Sequence, residues 1–532
     1  MKNEIGQMLV VRASGHLFDQ QIRYPVWEAT QQQLQYWLAD LNIGGVILLG
    51  GSVVELAARS RQLQNWAKTP LLIAADIEEG VGQRFPGGTW FPPPMALSAI
   101  GDRKTAQQCA AEMGKTTARE ALAAGINWLL APVVDVNNNP DNPVINVRAF
   151  GDTPEAVTEL ATAFITGCQH YPVLTTAKHF PGHGDTATDS HLELPAIAHS
   201  EKRLHEVELP PFIGAIAAGV DSVMTAHLRV LAWDKETPAT LSYPILTEQL
   251  RQKMGFEGLI VTDALVMAGV ANYADAEEIC LQAIEAGADI LLMPANPEKA
   301  IAAIENAVKT GRISRDRLRA SLHRIRTAKE KISANALARS PQKQDAAIAL
   351  SFDPSQFAQI RDGATVETIL RESMQQGGNL PLQPPQTPHQ GINAIVASNL
   401  LNNDFLGFHT PAIAIPQQLG YELQLLAPES LQQLLSFSSM TLQLFARGNP
   451  FRGSASFTPE TKSVLENLLR SDRVTALVLY GSPYIVEWLL PNLNSHIPWV
   501  FSYGQMPTAQ RLAWEFLLSQ KTLSSVRQNA FI

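Results

Sequence analysis

The sequence predicts a (β/α)8 barrel followed by a smaller α/β domain. Three observations carry this. Eight short apolar, β-rich runs alternate with longer helical segments through the first 330 or so residues. Several of those runs are apolar almost throughout, as parallel strands buried on both faces are. After about residue 340 the rhythm changes and a Pro/Gly-rich stretch intervenes. Eight strand–helix units in that length fit a closed barrel.

The strand-like runs fall at residues 7–12, 45–49, 71–75, 126–134, 173–177, 222–226, 259–262 and 289–293. Helical segments lie between them. Residues 105–124 are rich in Ala, Glu and Lys. Residues 154–168 begin with Pro154 after Thr153, a first-turn proline behind an N-cap residue. Residues 276–286 form a third helix, and residues 314–332 form the last helix of the barrel. That last helix sets Leu318, Leu322, Ile325 and Ile332 on an apolar stripe, under a basic face expected to meet solvent.

The barrel is assigned to residues 1–340, and a linker with the second domain to residues 341–532. Residues 333–362 read as a connector with some helix, and residues 377–391 as a loop. Strand-like runs resume at 395–397, 422–426, 441–445, 476–480 and 499–502, with a helix at 459–469 among them. No internal repeat stands out.

Composition narrows the function classes. Hydrophobic residues are 45% of the chain and charged residues 17%, which excludes a disordered chain or a coiled coil. A formal charge of −9 leaves no electrostatic footprint for nucleic acid or an anionic membrane. No apolar stretch reaches membrane-spanning length. The first residues carry an acid where a signal peptide is basic, so the cytoplasm is the expected location. Cys109, Cys168 and Cys280 are widely spaced and lack a C-x-x-C pair, which argues for buried, inert thiols rather than disulfides or a thiolate metal site.

Barrels place their chemistry at the C-terminal ends of the strands. Titratable residues collect there: Asp76, Asp135, Lys178 with His179, His227 and Asp263. Asp135 also suits a turn and His227 a satisfied core position. The densest stretch is KHFPGHGDTATDSH, residues 178–191. It supports two readings. His179, His183, Asp185, Asp189 and His191 offer metal ligands, although no regular helix would hold the histidines on one face. Alternatively, Asp189 and His191 form a dyad, since residues i and i+2 of an extended segment share a side. A carboxylate on one imidazole nitrogen leaves the other to carry a proton near neutral pH. Asp263 follows an apolar strand in GLIVTDAL, a rigid position for a nucleophile; a helix N-cap is its plainer role. The glycine pairs at 44–45 and 50–51 lack the lysine of a phosphate-binding loop, and no nucleotide cofactor is indicated.

These motifs resemble the family-3 glycoside hydrolases, and most closely their bacterial β-N-acetylglucosaminidase branch. KHFPGHGDTATDSH and VTDAL carry the resemblance. DIEEG at 76–80, NVRAFG at 146–151 and GVDSVMTAH at 219–227 support it in the family's order. The resemblance implies a retaining exo-glycosidase that releases terminal β-linked N-acetylglucosamine from a small saccharide such as a cell-wall fragment. It implies Asp263 as nucleophile and His191, oriented by Asp189, as acid/base. It implies Asp76, Arg148, Lys178 and His179 as ligands of the sugar hydroxyls. No metal or cofactor is implied. A histidine acid/base departs from the usual pair of carboxyl groups about 5–5.5 Å apart. Neutral imidazole also repels an anionic acceptor less, which makes phosphate a lesser alternative to water.

The chain departs from the branch at two places. Val81 stands where many members have arginine, and Ala264 where many have a second aspartate. Both bear on sugar preference and leave Asp263, Asp189 and His191 in place. The second domain resembles one appended to some members, and no motif in it singles out a catalytic acid. β-Glucosidase or β-xylosidase activity of the same family, a silent sugar-binding barrel and a metallohydrolase are the alternatives.

Overall fold

A computed structural model of the chain describes residues 1–187, 193–338, 352–385, 391–398, 405–448 and 457–529. Its contacts divide it into two compact units. The first takes residues 1–91, 104–139 and 148–365, and the second residues 92–103, 140–147 and 366–532.

The first unit is a closed parallel barrel. Its strands are β1 (Leu9–Ser14), β2 (Gly45–Leu49), β3 (Leu72–Ala75), β4 (Trp128–Leu129), β5 (Thr176–Phe180), β6 (Ser222–Thr225), β7 (Leu259–Val261) and β8 (Leu291–Leu292). One ladder runs β8-β1-β2-β3-β4 and another β5-β6-β7. Parallel bridges Trp128↔Leu174 and Val133↔Lys178 join β4 to β5, and Val261↔Ile290 joins β7 to β8. The ring is thereby complete. Completion leaves no strand edge to protect. It also explains why these strands are apolar on both faces: side chains fill the lumen on one and meet helices on the other. Trp128 is fully buried in β4, and its indole N–H donates to Thr176 Oγ1 at 2.9 Å and Ser222 Oγ at 3.0 Å. That polar bridge crosses three consecutive strands.

The strands differ in detail from the expected runs. The first begins two residues late, because residues 6–8 form a 3-10 turn. The run at 126–134 is regular only at Trp128–Leu129, since Pro132 has no N–H for a ladder. The fifth strand extends through Lys178 and His179, where the polar residues had suggested its end. Thr153 caps the helix Pro154–Cys168 as its sequence predicts, accepting from Ala156 N at 3.4 Å.

The last helix, Arg315–Ala338, corrects an expectation. Its basic residues do not simply face water. Arg317 and Arg324 reach the buried carboxylate of Asp289, at 3.4 and 3.2 Å. Lys329 donates to Gln7 Oε1 at 2.7 Å and Gly44 O at 2.9 Å, and Lys331 pairs with Asp221. These partners sit before β8, β2 and β6, at the barrel's N-terminal end. The helix therefore seals the floor with its cations, while Arg319 and Arg326 remain exposed.

The second unit holds a six-stranded sheet. Its strands are β9 (Gln375–Gly377), β10 (Gly391–Ala397), β11 (Tyr421–Leu426), β12 (Met440–Ala446), β13 (Val474–Gly481) and β14 (Trp499–Ser502). The order is β9-β14-β13-β12-β10-β11, parallel except for β9. This is a doubly wound arrangement. The edge strand β9 is polar and three residues long, which is why periodicity did not reveal it. Inside, Gln443 donates to Asn393 Oδ1 at 2.6 Å and accepts from Tyr480 at 3.2 Å. The cysteines are all buried thiols, as expected. No helix among the described residues is long and apolar enough to cross a membrane.

Asp289 accepts from Arg251 at 2.9 Å, Ser321 at 2.6 Å and Ile260 N at 3.1 Å besides the two helix arginines. Removing it strands several buried donors. Asp289→Ala is expected to destabilise the barrel by about 3–5 kcal/mol, measured as a shift of its denaturant unfolding transition. A loss below about 1 kcal/mol would contradict the account.

Candidate active site

The C-terminal ends of β3 and β5 bring four charges together. Asp76 follows the last residue of β3, and Glu78 lies two residues on. Lys178 projects from β5, with its Nζ at 2.7 Å from Asp76 Oδ1 and 2.6 Å from Glu78 Oε1. Arg148 grips Glu78 with two parallel bonds, 2.9 Å from Nε to Oε2 and 2.8 Å from Nη2 to Oε1. Glu78 is 4% exposed and the Lys178 side chain 2%, whereas Asp76 is 36% exposed. Burial works against each buried charge. The two cations nevertheless hold the Glu78 carboxyl well below the usual carboxylate range. Burial also opposes the Lys178 and Arg148 charges, and their acid partners still raise both pKa values. The cluster thus holds two charges of each sign and offers the half-buried Asp76 as its open edge.

Glu78 was not singled out by sequence reasoning. The signal was present: a second acid two positions after Asp76, in the loop that follows β3.

Asp135 organises the next layer. It is fully buried, and its Oδ1 accepts from His179 N at 3.1 Å and His183 N at 2.8 Å. Its Oδ2 accepts a hydrogen bond from His179 Nδ1 at 2.8 Å. Burial disfavours its charge, yet the His179 imidazole and these bonds hold its pKa below the usual range. Asp135 therefore does more than form a turn. It sets the His179 tautomer and leaves Nε2 as the ring's other polar atom. A bulge helps to aim that ring. Lys178 pairs with Met224 and Phe180 with Thr225, so His179 is the extra residue.

The glycines of this segment answer to packing. A Cβ on Gly184 would lie 1.8 Å from Val136 O, so the chain passes there only without a side chain. Gly182 has φ +126°, and a Cβ there would come within 2.9 Å of Glu208.

Asp263 stands at the mouth just after β7, half-buried, its Oδ1 accepting from Ala264 N at 2.7 Å. The adjoining backbone is held from both sides. Leu292 N donates to Thr262 Oγ1 at 2.9 Å, and Leu265 N donates to Leu292 O at 2.9 Å. His227 Nε2 bonds Ala264 O at 3.0 Å while its Nδ1 meets Thr240 Oγ1 at 2.8 Å. His227 is thus the satisfied core histidine of the plainer reading, and it also steadies the peptide after Asp263. No helix N-cap is formed by Asp263; the next helix, Ala268–Ala271, starts after Met267.

Asp189 and His191 lie outside the described residues. Of the five candidate metal ligands, His179 bonds Asp135 and His183 bonds Thr186 Oγ1 at 2.8 Å. Among the described residues the grouping with metal-ligand spacing is Asp185, His199 and Glu208, which includes one of those five.

Burial pushes the His183 imidazole down to about 4, against the pull of Asp135. It folds neutral, whereas in the unfolded chain it titrates near 6.5. Between those values the unfolded state binds a proton that the folded state refuses. The neutral-histidine contribution is therefore complete above pH 6.5 and is lost as pH falls toward 4. Chemical unfolding across that range is expected to show the wild type losing about 3 kcal/mol more than His183→Asn. Equal losses in the two proteins would contradict the buried, neutral assignment.

Comparison with known proteins places this geometry in a family. Residues 1–328 match the profile described as glycosyl hydrolase family 3 N terminal domain, and residues 385–519 that of the bacterial glycosyl hydrolase family 3 C-terminal domain. Beta-hexosaminidase A of Pseudoalteromonas piscicida is 34% identical over 56% of this chain and 55% of its own length. A beta-N-acetylglucosaminidase/beta-glucosidase of Cellulomonas fimi is 31% identical over 67% of this chain and 64% of its own. The chain thus spans between half and two thirds of these two relatives. The solved structure of a glycoside hydrolase family 3 beta-N-acetylglucosaminidase from Paenibacillus sp. str. FPU-7 superposes with a TM-score of 0.77 at 28% identity, covering 98% of this chain and 97% of that one. With more than half of its length matched by the family's N-terminal domain, and that domain folded as a closed barrel with its charged site at the strand ends, the chain belongs to glycosyl hydrolase family 3.

Proposed function

We propose that the protein is a retaining exo-β-N-acetylglucosaminidase. The observation that carries this reading is the four-charge cluster of Asp76, Glu78, Lys178 and Arg148 at the same strand-end face as Asp263. A sugar ring needs directional donors and acceptors for its hydroxyls. The charged cluster supplies both without a net charge, and His179 Nε2 adds one more.

In the proposed reaction Asp263 attacks the anomeric carbon of a terminal β-linked sugar. The bond to the leaving oxygen breaks as His191, oriented by Asp189, gives that oxygen a proton. A covalent glycosyl ester on Asp263 results. His191 then takes a proton from water, whose oxygen attacks the same carbon and frees the Asp263 carboxylate. Two inversions give net retention. Asp76, Arg148, Lys178 and His179 bind the ring in both steps, and Glu78 holds the two cations in place. A terminal N-acetylglucosamine on a small saccharide, such as a cell-wall fragment, is the proposed substrate. The names of the relatives support the N-acetyl sugar, and the second name borne by the Cellulomonas protein supports glucose as the competing sugar.

Hydrolysis of paired chromogenic β-N-acetylglucosaminide and β-glucoside substrates tests the reading. Selective cleavage of the N-acetyl substrate is expected, insensitive to chelator. Asp263→Ala should lower it by at least about 10³-fold, and His191→Ala by about 10²–10⁴-fold. Activity that survives Asp263→Ala would overturn the nucleophile. Preferential glucoside cleavage would overturn the sugar.

A further inference from the structure

A second polar cluster lies beside the site and takes no part in the mechanism above. Asp185 Oδ2 is 2.7 Å from His199 Nε2. Arg203 reaches the same Asp185 oxygen at 3.5 Å and donates to Glu208 Oε1 at 2.7 Å. Glu208 is 4% exposed, and its Oε2 has no hydrogen-bond partner among the described residues. Burial pushes the Glu208 carboxyl up, against the pull of Arg203.

The placement of these residues along the chain gives the cluster its meaning. Asp185 and His199 are 14 residues apart, and Asp189 and His191 lie between them. Each stem of that stretch is anchored separately. On the first stem Gly184 passes against Val136 O, and His183 N bonds Asp135. Gly182 packs on the Glu208 side chain. On the second stem Ala196 and Ile197 pair with Arg229 and Val230, and Arg229 N donates to Pro195 O at 2.9 Å. Ser200 then caps the short helix that presents Arg203. The Asp185–His199 bond is the tie between the two stems, and Arg203 fastens Asp185 to Glu208 beneath them.

A metal ion is the competing occupant, because Asp185, His199 and Glu208 bring one ligand atom each within 4.8 Å. Arg203 argues against it. Its guanidinium already pairs with both carboxylates, and a divalent ion would meet that cation at close range.

We propose that Asp185, His199, Arg203 and Glu208 are positioning residues, a polar clamp that joins the two stems of the 186–198 segment and so governs proton delivery by His191. The role given to His191 rests on the proposed glycosidase mechanism; the joining of the stems does not. Short segments need such ties, because a misplacement of about 1 Å can cost about 10²-fold in rate.

Two readouts on Asp185→Asn and His199→Gln test the clamp. The first is amide hydrogen exchange of the full chain. Peptides from the two described stems, residues 182–187 and 193–199, should exchange at least about 10-fold faster in both variants, with the β3 and β7 peptides unchanged. The second is kcat/KM on phenyl and 2,4-dinitrophenyl β-N-acetylglucosaminides. Phenol leaves poorly without a proton, and dinitrophenol leaves without one. The variants should lose about 10–100-fold on the phenyl substrate and less than about 3-fold on the dinitrophenyl one. Arg203→Lys should keep part of both. Unchanged exchange, or equal losses on the two substrates, would overturn the clamp. So would a stoichiometric metal in the wild type that is lost from the variants. A wild type that cleaves neither substrate would overturn the glycosidase reading, and the exchange data would still decide the clamp.

Discussion

Glu78 holds two cations in a place where water is nearly absent. Moving a carboxylate there costs several kcal/mol, and so does moving each of its partners. The cost is offset only if the geometry is close to ideal. Here it is: the Arg148 fork meets both oxygens, and Lys178 comes to 2.6 Å. Much of the barrel mouth follows from this constraint. Lys178 must be delivered by β5, so the strand runs on through polar residues. Arg148 must be delivered by the loop after β4. Asp76 completes the charge balance and, being more exposed, is left to meet a ligand. A buried cluster bonded this completely is preorganised for the sugar binding proposed above.

The barrel keeps its two ends apart in function. At the floor, Asp289 and the cations of the last helix close the N-terminal ends of the strands. Those ion pairs satisfy one another and hold the ring shut. At the mouth, the charged residues satisfy one another less completely. Asp76 and Asp263 retain exposed surface, and His179 spends one ring nitrogen on Asp135. The contrast explains how one fold stays stable while carrying groups that must still bind something.

Much of this was legible in the residues. Eight apolar runs in βα rhythm were enough for the barrel, because strands covered on both faces have no polar alternation to blur them. The motif at 178–191 pointed to Lys178 and His179, which the structure brings against Asp76, Glu78 and Asp135. Four things were hidden. Glu78 pairs with residues 70 and 100 positions away, and no local pattern reports a long-range ion pair. The floor role of Arg317, Arg324 and Lys329 was hidden because a basic helical face reads the same whether it meets water or buried acceptors. The strand β9 was hidden because an antiparallel edge needs only backbone pairing, so its side chains carry no pattern. The Asp185–His199 tie belongs to the same class: its partners are too far apart in the chain for spacing to pair them.

The central claim is that Asp263 carries the sugar through a covalent intermediate. Trapping tests it most directly. A 5-fluoro N-acetylglucosaminyl fluoride slows the second step, so the ester accumulates if it forms. Intact mass spectrometry should then show one added fluorosugar per chain, and peptide mapping should place it on Asp263. Rapid turnover of the N-acetyl substrate with the label on another residue, or with no label at all, would contradict the account.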